Sequence, residues 1–317
     1  MYSRIVGTGK YLPERILTNA ELERMVETTD EWIRSRTGIE FRHIAADNEF
    51  TSDLAYKAGL EALQSAGLTP NDIDLVLVGT TTPDLIFPNV ACLVQDKLGI
   101  KACPAFSVEA ACSGFLYGLV VADQFLRLGQ ARRALVIGAE TMSRIMDWTD
   151  RETCVLFGDG AGAVILEASD TPGIMYSTLG ADGRYRDLLY ASSGVSLRQR
   201  EGAALRMKGN EVFKVAVKTL ENLVDDVVEK NHLEKGQIDW LIPHQANIRI
   251  ITATAKRLEL PMERVILTVR EHGNTSAASV PMALDTAIRD GRIKRGDLLL
   301  LEAFGGGFTW GASLIRY

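Results

Sequence analysis

No stretch of this chain comes near the eighteen or so consecutive apolar residues that a membrane-spanning helix requires, so no span is expected. Met1-Tyr-Ser-Arg-Ile-Val-Gly7 has no basic segment followed by an apolar one, so no secretory signal is expected either. Cysteine is scarce, with four in 317 residues, at 92, 103, 112 and 154, and no Cys-x-x-Cys pair. That usage speaks against a disulfide framework and for a cytoplasmic setting. The four histidines, at 43, 232, 244 and 272, have no metal-ligand spacing such as His-x-x-x-His, so no metal site is expected. A net charge of −6 argues against a general nucleic-acid binder, while leaving room for a local basic patch that faces an acidic partner. What remains is an ordinary globular composition, 46% hydrophobic and 24% charged, long enough for one large or two medium α/β domains.

The two halves of the chain echo each other. In the first, a helical stretch at 54–66 leads through NDID (71–74) into the apolar strand LVLV (75–78). In the second, a helix at 211–230 leads through QID (237–239) into WLI (240–242). That helix is read from Val212, Val215, Val217, Leu220, Val224, Val227 and Val228, which keep to one broad face. Ile73-Asp74 and Ile238-Asp239 match at a shift of 165. A second pair matches at a shift of 162: residues 112–129 with the strand ALVIG (134–138), and residues 274–291 with DLLLL (297–301). Each half closes on a glycine-rich turn and an apolar strand, GDGAGAVIL (158–166) and GGGFTWGASLI (305–315). Alternating helices and buried strands imply an α/β fold with largely central sheets. The repeat implies two units, 1–170 and 171–317, related by a pseudo-twofold axis, with Asn274 at the position equivalent to Cys112 and both facing one cleft. Pro281 falls in the first turn of its helix, where a missing N–H is harmless.

Cys112 stands in EAACSGF (109–115), between an extended stretch, PAFSV (104–108), and a long apolar run at 115–128. This pattern predicts strand, tight turn, helix, with the sulfur at the helix start. There the helix dipole and the free N–H groups favour thiolate. A small buried core cysteine is the plain alternative. GDGAG (158–162) superficially suggests a dinucleotide fingerprint, but that motif needs a helix after it, and here the β-like run AVIL (163–166) follows. No nicotinamide site is expected; the glycines instead permit close backbone approach.

Taken in order, EAACSGF, PHQAN (243–247), HGNTSAAS (272–279) and Gly305-Gly-Gly307 resemble the thiolase-fold condensing enzymes, and within them the β-ketoacyl-acyl-carrier-protein synthase III branch. The resemblance runs from IVGTG (5–9) to Trp310-Gly-Ala312. It implies two thiolase-like halves in an αβαβα layered core with mixed, mainly central sheets. By this resemblance Cys112 takes an acyl group from a coenzyme A thioester, while His244 and Asn274 act on malonyl-acyl-carrier protein. The chemistry suits these residue types, because decarboxylation leaves an enolate oxygen that two neutral N–H donors can stabilise. Backbone N–H groups of Cys112 and Gly306 would hold the tetrahedral oxyanion. The thioester is itself the activated species, so no cofactor is implied. His272 is read as support or packing.

The same resemblance assigns Thr28, Trp32, Arg36, Arg151, Gly209 and Asn247 to coenzyme A. An indole and a guanidinium can sandwich adenine, and arginine pairs with phosphate. Phe87, Met142, Phe157, Leu189, Leu205 and Phe304 are its candidate walls for the acyl group, each otherwise a core residue. The pocket's depth is not legible, so acetyl is the default primer and longer or branched groups remain open. Lys214, Arg249, Lys256 and Arg257 form a basic set suited to an acidic carrier protein; solvated helix faces are the plain alternative for each. A homodimer is implied, with Phe87 reaching the partner's pocket. A papain-like protease shares the order Cys, His, Asn, but its Cys-Gly-x-Cys-Trp context is missing and the halves repeat. A thiolase or hydroxymethylglutaryl synthase fits Asn274 less well. A non-catalytic coenzyme A-binding module would have no need of Cys112, His244 and Asn274 together.

Overall fold

The computed structural model describes residues 1–192, 194, 196 and 204–317. The first half supplies β1 (Tyr2–Tyr11), β2 (Arg15–Thr18), β3 (Phe41–Ile44), β4 (Leu75–Gly79), β5 (Ala105–Val108), β6 (Arg133–Thr141) and β7 (Asp159–Ser169). Its helices are α1 (Asn19–Leu22), α2 (Asp30–Thr37), α3 (Thr51–Ala66), α4 (Val90–Leu98) and α5 (Gly114–Arg127). The second half supplies β8 (Ile174–Ala181), β9 (Leu189–Ala191), β10 (Leu205–Met207), β11 (Trp240–Pro243), β12 (Leu298–Gly305) and β13 (Thr309–Arg316). Its helices are α6 (Gly209–Lys230), α7 (Ile248–Arg257), α8 (Val269–His272) and α9 (Ser279–Arg289).

A five-stranded sheet has the order β1-β7-β6-β4-β5, and a four-stranded sheet the order β11-β12-β13-β8. In each, a parallel pair (β4 with β6, β11 with β12) continues into two antiparallel neighbours. The sheets therefore share one topology, with β5 added at the edge of the first. Both are mixed, and both faces of their central strands are covered: every residue of β4 and of β12 is buried, Glu302 included. Helices α5 and α9 lie between the sheets; α3 and α4 cover the outer face of the first, and α6 and α7 that of the second. Three apolar clusters fill the interfaces of this αβαβα stack.

The helix expected at 54–66 begins three residues earlier, since the Asp53 carboxylate accepts the Phe50 N–H at 2.9 Å and closes the first turn. The repeat also has a finer register than the sequence suggests. A shift of 165 carries Leu75 of β4 onto Trp240 of β11, Gly114 of α5 onto Ser279 of α9 and Arg133 of β6 onto Leu298 of β12. It also carries Ala111 onto Ser276, both with positive φ, at 45° and 50°. The shift of 162 holds only toward the helix ends, where Asp123 pairs with Arg127 and Asp285 with Arg289. Helix α9 is thus three residues shorter than α5, and the structural counterpart of Cys112 is Ala277. Asn274 reaches the cleft from a position three residues earlier, so the symmetry argument found the right residue through the wrong equivalence.

Candidate active site

One cavity of about 780 Å³ runs from exposed Trp32, Arg36 and Arg151 to a floor formed by Cys112, His244 and Asn274. The three floor residues are 7%, 7% and 6% exposed. Cys112 sits in a single 3-10 turn, Ala111–Ser113, between β5 and α5. The end of β12 crosses close above this turn: a Cβ on Gly305 would lie 2.6 Å from the Cys112 nitrogen, so only glycine fits. The glycines at 158–162 act similarly, with a Cβ on Gly162 falling 2.6 Å from the Met282 nitrogen of α9.

Burial pushes the Cys112 thiol up to about 12; a hydrogen bond with Ser276 opposes the rise and the Glu140 carboxylate adds to it. Burial thus opposes the thiolate that the helix start favours. The two effects act in opposite directions on one nearly enclosed sulfur.

His244 follows β11, its N–H donating to the Glu302 carbonyl at 2.8 Å. Burial pulls its pKa down to about 3, leaving a neutral ring. Nδ1 lies 2.6 Å from the Ser279 hydroxyl, which also accepts from the Gln245 N–H at 3.3 Å. A Ser279 hydroxyl that donates to Nδ1 leaves the ring proton on Nε2. Gln245, fully buried, pins this loop: its amide donates to the carbonyls of Pro243 (2.8 Å) and Ile266 (3.0 Å) and accepts the N–H groups of Thr268 (2.8 Å) and Val269 (3.0 Å). The Asn274 backbone is tied to Leu156 and Gly158. Its Oδ1 accepts the Ser276 N–H at 2.9 Å, which fixes the amide so that its NH2 is the free end.

At the other end, the Arg151 guanidinium lies 5.2 Å from the Trp32 ring centre. Gly209 and Asn247 line the same cavity, Asn247 also capping α7 by accepting the Arg249 N–H at 2.8 Å. Thr28 does not line it; its hydroxyl is buried with no hydrogen-bond partner among the described residues. Phe157, Leu189 and Phe304 are cavity walls, whereas Met142 and Leu205 pack in an apolar cluster with Phe157 rather than on the lining. Phe87 is 83% exposed and is no wall of this chain's cavity, because its loop turns outward between β4 and α4. Of the basic set, Arg249 stands at the cavity rim, 4.7 Å from the Phe213 ring centre. Lys256 is exposed on α7, and Lys214 lines a separate cleft with Trp310 and Asp226. Arg257 is not a free cation, since Asp225 of α6 holds it bidentately. Gly306 follows β12 beside the Cys112 turn, where a Cβ would lie 3.7 Å from that of Ala111. His272 is buried edge-on to His43, with ring centres 6.4 Å apart, as packing predicts.

Sequence reasoning missed three groups. Glu302 lines the cavity with Oε2 unpartnered among the described residues, and burial raises its pKa to about 8. Ser276 donates to the buried Glu140 carboxylate at 3.1 Å. Ser276 was within a quoted motif, but nothing local marks its hydroxyl.

Two family models match the chain, one described as 3-oxoacyl-[acyl-carrier-protein (ACP)] synthase III over residues 106–183 and its C-terminal counterpart over 228–317. A β-ketoacyl-[acyl-carrier-protein] synthase III of Xanthomonas campestris pv. campestris is 62% identical over 321 aligned residues, covering 100% of this chain and 99% of the relative. The crystal structure of 3-oxoacyl-[acyl-carrier-protein] synthase III from Aquifex aeolicus VF5 superposes with a TM-score of 0.95 at 48% identity, covering 99% of this chain and 100% of that one. The priming β-ketosynthase from the R1128 polyketide biosynthetic pathway also reaches 0.95, at 36% identity over 99% of this chain and 96% of its own.

Proposed function

The chain belongs to the 3-oxoacyl-[acyl-carrier-protein] synthase III family of condensing acyltransferases of fatty acid synthesis, and on that footing we propose how its cavity performs the condensation. Cys112 attacks the carbonyl of an acyl-coenzyme A primer, acetyl by default, and holds the acyl group as a thioester. Backbone N–H groups of Cys112 and Gly306 receive the oxyanion. Malonyl-acyl-carrier protein then enters along the same cavity and loses carbon dioxide. His244 Nε2–H and the Asn274 NH2 donate to the enolate oxygen, and the carbanion attacks the acyl-Cys112 carbonyl to give β-ketoacyl-carrier protein. Each such donor is worth about 10²–10³ in rate. Trp32, Arg36 and Arg151 receive the nucleotide end of coenzyme A, with Gly209 and Asn247 along the arm.

The observation that supports this reading is the convergence of Cys112, His244 and Asn274 at the buried end of one cavity whose open end carries the Trp32–Arg151 pair. Arg249, at the rim, is the basic residue best placed to meet an acidic carrier protein. A homodimer is part of the proposal: Leu85, Ile86 and Phe87, 51%, 72% and 83% exposed, form a consecutive apolar run suited to cover by a second copy. So is a cytoplasmic location; no helix among the described residues is long and apolar enough to cross a membrane. Incubation with acetyl-coenzyme A should add one acetyl group to Cys112, read by intact mass and peptide mapping. Absence of any adduct with short or medium acyl-coenzyme A thioesters would sink the proposal.

A further inference from the structure

The cavity wall carries one polar group that the condensation does not use. Glu302 of β12 is 1% exposed and lines the cavity, and its Oε2 has no hydrogen-bond partner among the described residues. Side chains alternate along a strand, so Glu302 points to the same face as Leu300 and Phe304. Those two share an apolar cluster with Val212, Ala216 and Leu220 of α6, Ile251 of α7 and Ala312, the β13 residue paired with Glu302. Thr254 of α7 is the polar side chain beside it, and its hydroxyl donates to the Ile250 carbonyl at 3.4 Å. A carboxyl thus stands in an apolar wall with one oxygen unsatisfied.

A buried polar atom without a partner carries a free-energy cost that native proteins seldom leave uncompensated. Its position says what compensates it. Val212 and Ile251 line the cavity about one helical turn beyond Gly209 and Asn247, so the Glu302 wall continues the path of the coenzyme A arm. Toward the floor, Phe304 lies about 7 Å further along β12, and Gly305 abuts the Cys112 turn. The arm that joins nucleotide to sulfur carries two amides, and each loses water on entering an apolar stretch and needs a partner there. From this complementarity we infer that Glu302 is a binding residue for the substrate arm, its carboxyl hydrogen-bonded to one of the arm's amides; the inference rests on the reading that coenzyme A occupies this cavity.

The surroundings set the direction of that bond. The α6, α7 and β13 residues that share the Glu302 face are uncharged, and β11 leads into a backbone contact, the His244 N–H donating to the Glu302 carbonyl at 2.8 Å. The titratable groups of the floor are Cys112 and His244, while Arg151, Glu211 and Arg249 line the same cavity; none of them contributes to the rise that burial imposes on Glu302, to about 8. An ionised carboxylate is costly where nothing pairs it. At pH 7 Glu302 is therefore a neutral acid, and its O–H donates to the amide carbonyl. Above about 8 it becomes an acceptor only, and the bond to a carbonyl oxygen is lost. Glutamine at this position keeps a donor, whereas leucine removes it at similar volume.

The test is calorimetric binding of coenzyme A, and of its nucleotide end without the arm, to wild type, Glu302→Gln and Glu302→Leu. At pH 7 Glu302→Leu should bind coenzyme A about tenfold more weakly and the nucleotide end within about twofold of wild type, because only the arm loses a partner. Glu302→Gln should bind both within about threefold of wild type. From pH 7 to 9 wild type should lose about five- to tenfold in coenzyme A affinity relative to Glu302→Gln, as the donor ionises. That comparison stands even where Glu302→Leu does not fold. Equal coenzyme A affinity in all three proteins at pH 7, or a Glu302→Leu loss shared by the nucleotide end, would overturn the contact. Parallel pH profiles of wild type and Glu302→Gln would do the same. Failure of wild type to bind coenzyme A would overturn the reading of the cavity as well.

Discussion

Asn274→Asp is the sharpest perturbation of the proposed second half-reaction. The Oδ1 that accepts the Ser276 N–H at 2.9 Å is retained, so the side chain should keep its orientation. What changes is the other end, where an NH2 donor becomes a carboxylate oxygen. Loss of one donor to a developing oxyanion costs about 10²–10³ in rate, or about 3–4 kcal/mol. The ionised carboxylate adds repulsion of the enolate, so decarboxylation at pH 8 should fall by at least about 10³. Asp at this position is 6% exposed if it takes the asparagine's place, and burial would raise its pKa above the ordinary ~3.9. Its protonated form is a donor again, so the deficit should shrink as pH falls from 8 to 5. Wild type should show no such trend, because His244, at about 3, remains neutral across that range. Carbon dioxide release from malonyl-carrier protein reads the effect, against Cys112 acetylation by intact mass, which should change less than about threefold. A pH-independent deficit, or equal loss of both half-reactions, would refute the assignment of Asn274 as an enolate donor.

Glu302→Gln tests the buried acid through stability. Burial raises its folded pKa from 4.5 to about 8, so its contribution is fully present below the unfolded value and is lost as pH rises through 8. Wild type should therefore lose up to a few kcal/mol more than Glu302→Gln between pH 5 and 9, by urea midpoints, and parallel curves would reject that. Arg249→Glu should weaken use of malonyl-carrier protein while leaving acetylation from coenzyme A nearly intact, since the side chain stands at the rim; an unchanged carrier-protein KM would remove it from the docking surface. Gly305→Ala should slow Cys112 acylation at least about tenfold, because its Cβ meets the Cys112 backbone nitrogen at 2.6 Å and backbone cannot swing aside. Acylation at the wild-type rate would show that the β12 crossing does not set the sulfur's position.

The layered fold and the turn that carries Cys112 were legible because their signals are local. A buried central strand must be an apolar run, and a nucleophile at a strand-to-helix turn needs small neighbours, so LVLV, DLLLL and EAACSGF announce themselves. The failures share the opposite property. Arg257 looked like a free cation until α7 was seen packed on α6, where Asp225 neutralises it across 32 residues of chain. Glu140 is preceded by the apolar run ALVIGA (134–139), and its donors come from residues 80–82 and 276. Nothing in its own neighbourhood marks a buried carboxylate in a cage. The repeat register slipped because α9 lacks three residues that α5 has, and a pattern match follows the longer conserved helix end rather than the turn.

The burial of Cys112 bears on both half-reactions. Desolvation opposes charge of either sign, so one enclosed floor keeps His244 neutral at about 3, Glu302 protonated toward 8 and Cys112 a thiol toward 12. For malonyl this is an advantage: its carboxylate is the charged group leaving water, and loss of carbon dioxide moves that charge onto an enolate oxygen facing two neutral donors. For the sulfur the same dryness is an obstacle, since ionisation to solvent is suppressed. A site that must run both steps in one place cannot be wet for one and dry for the other.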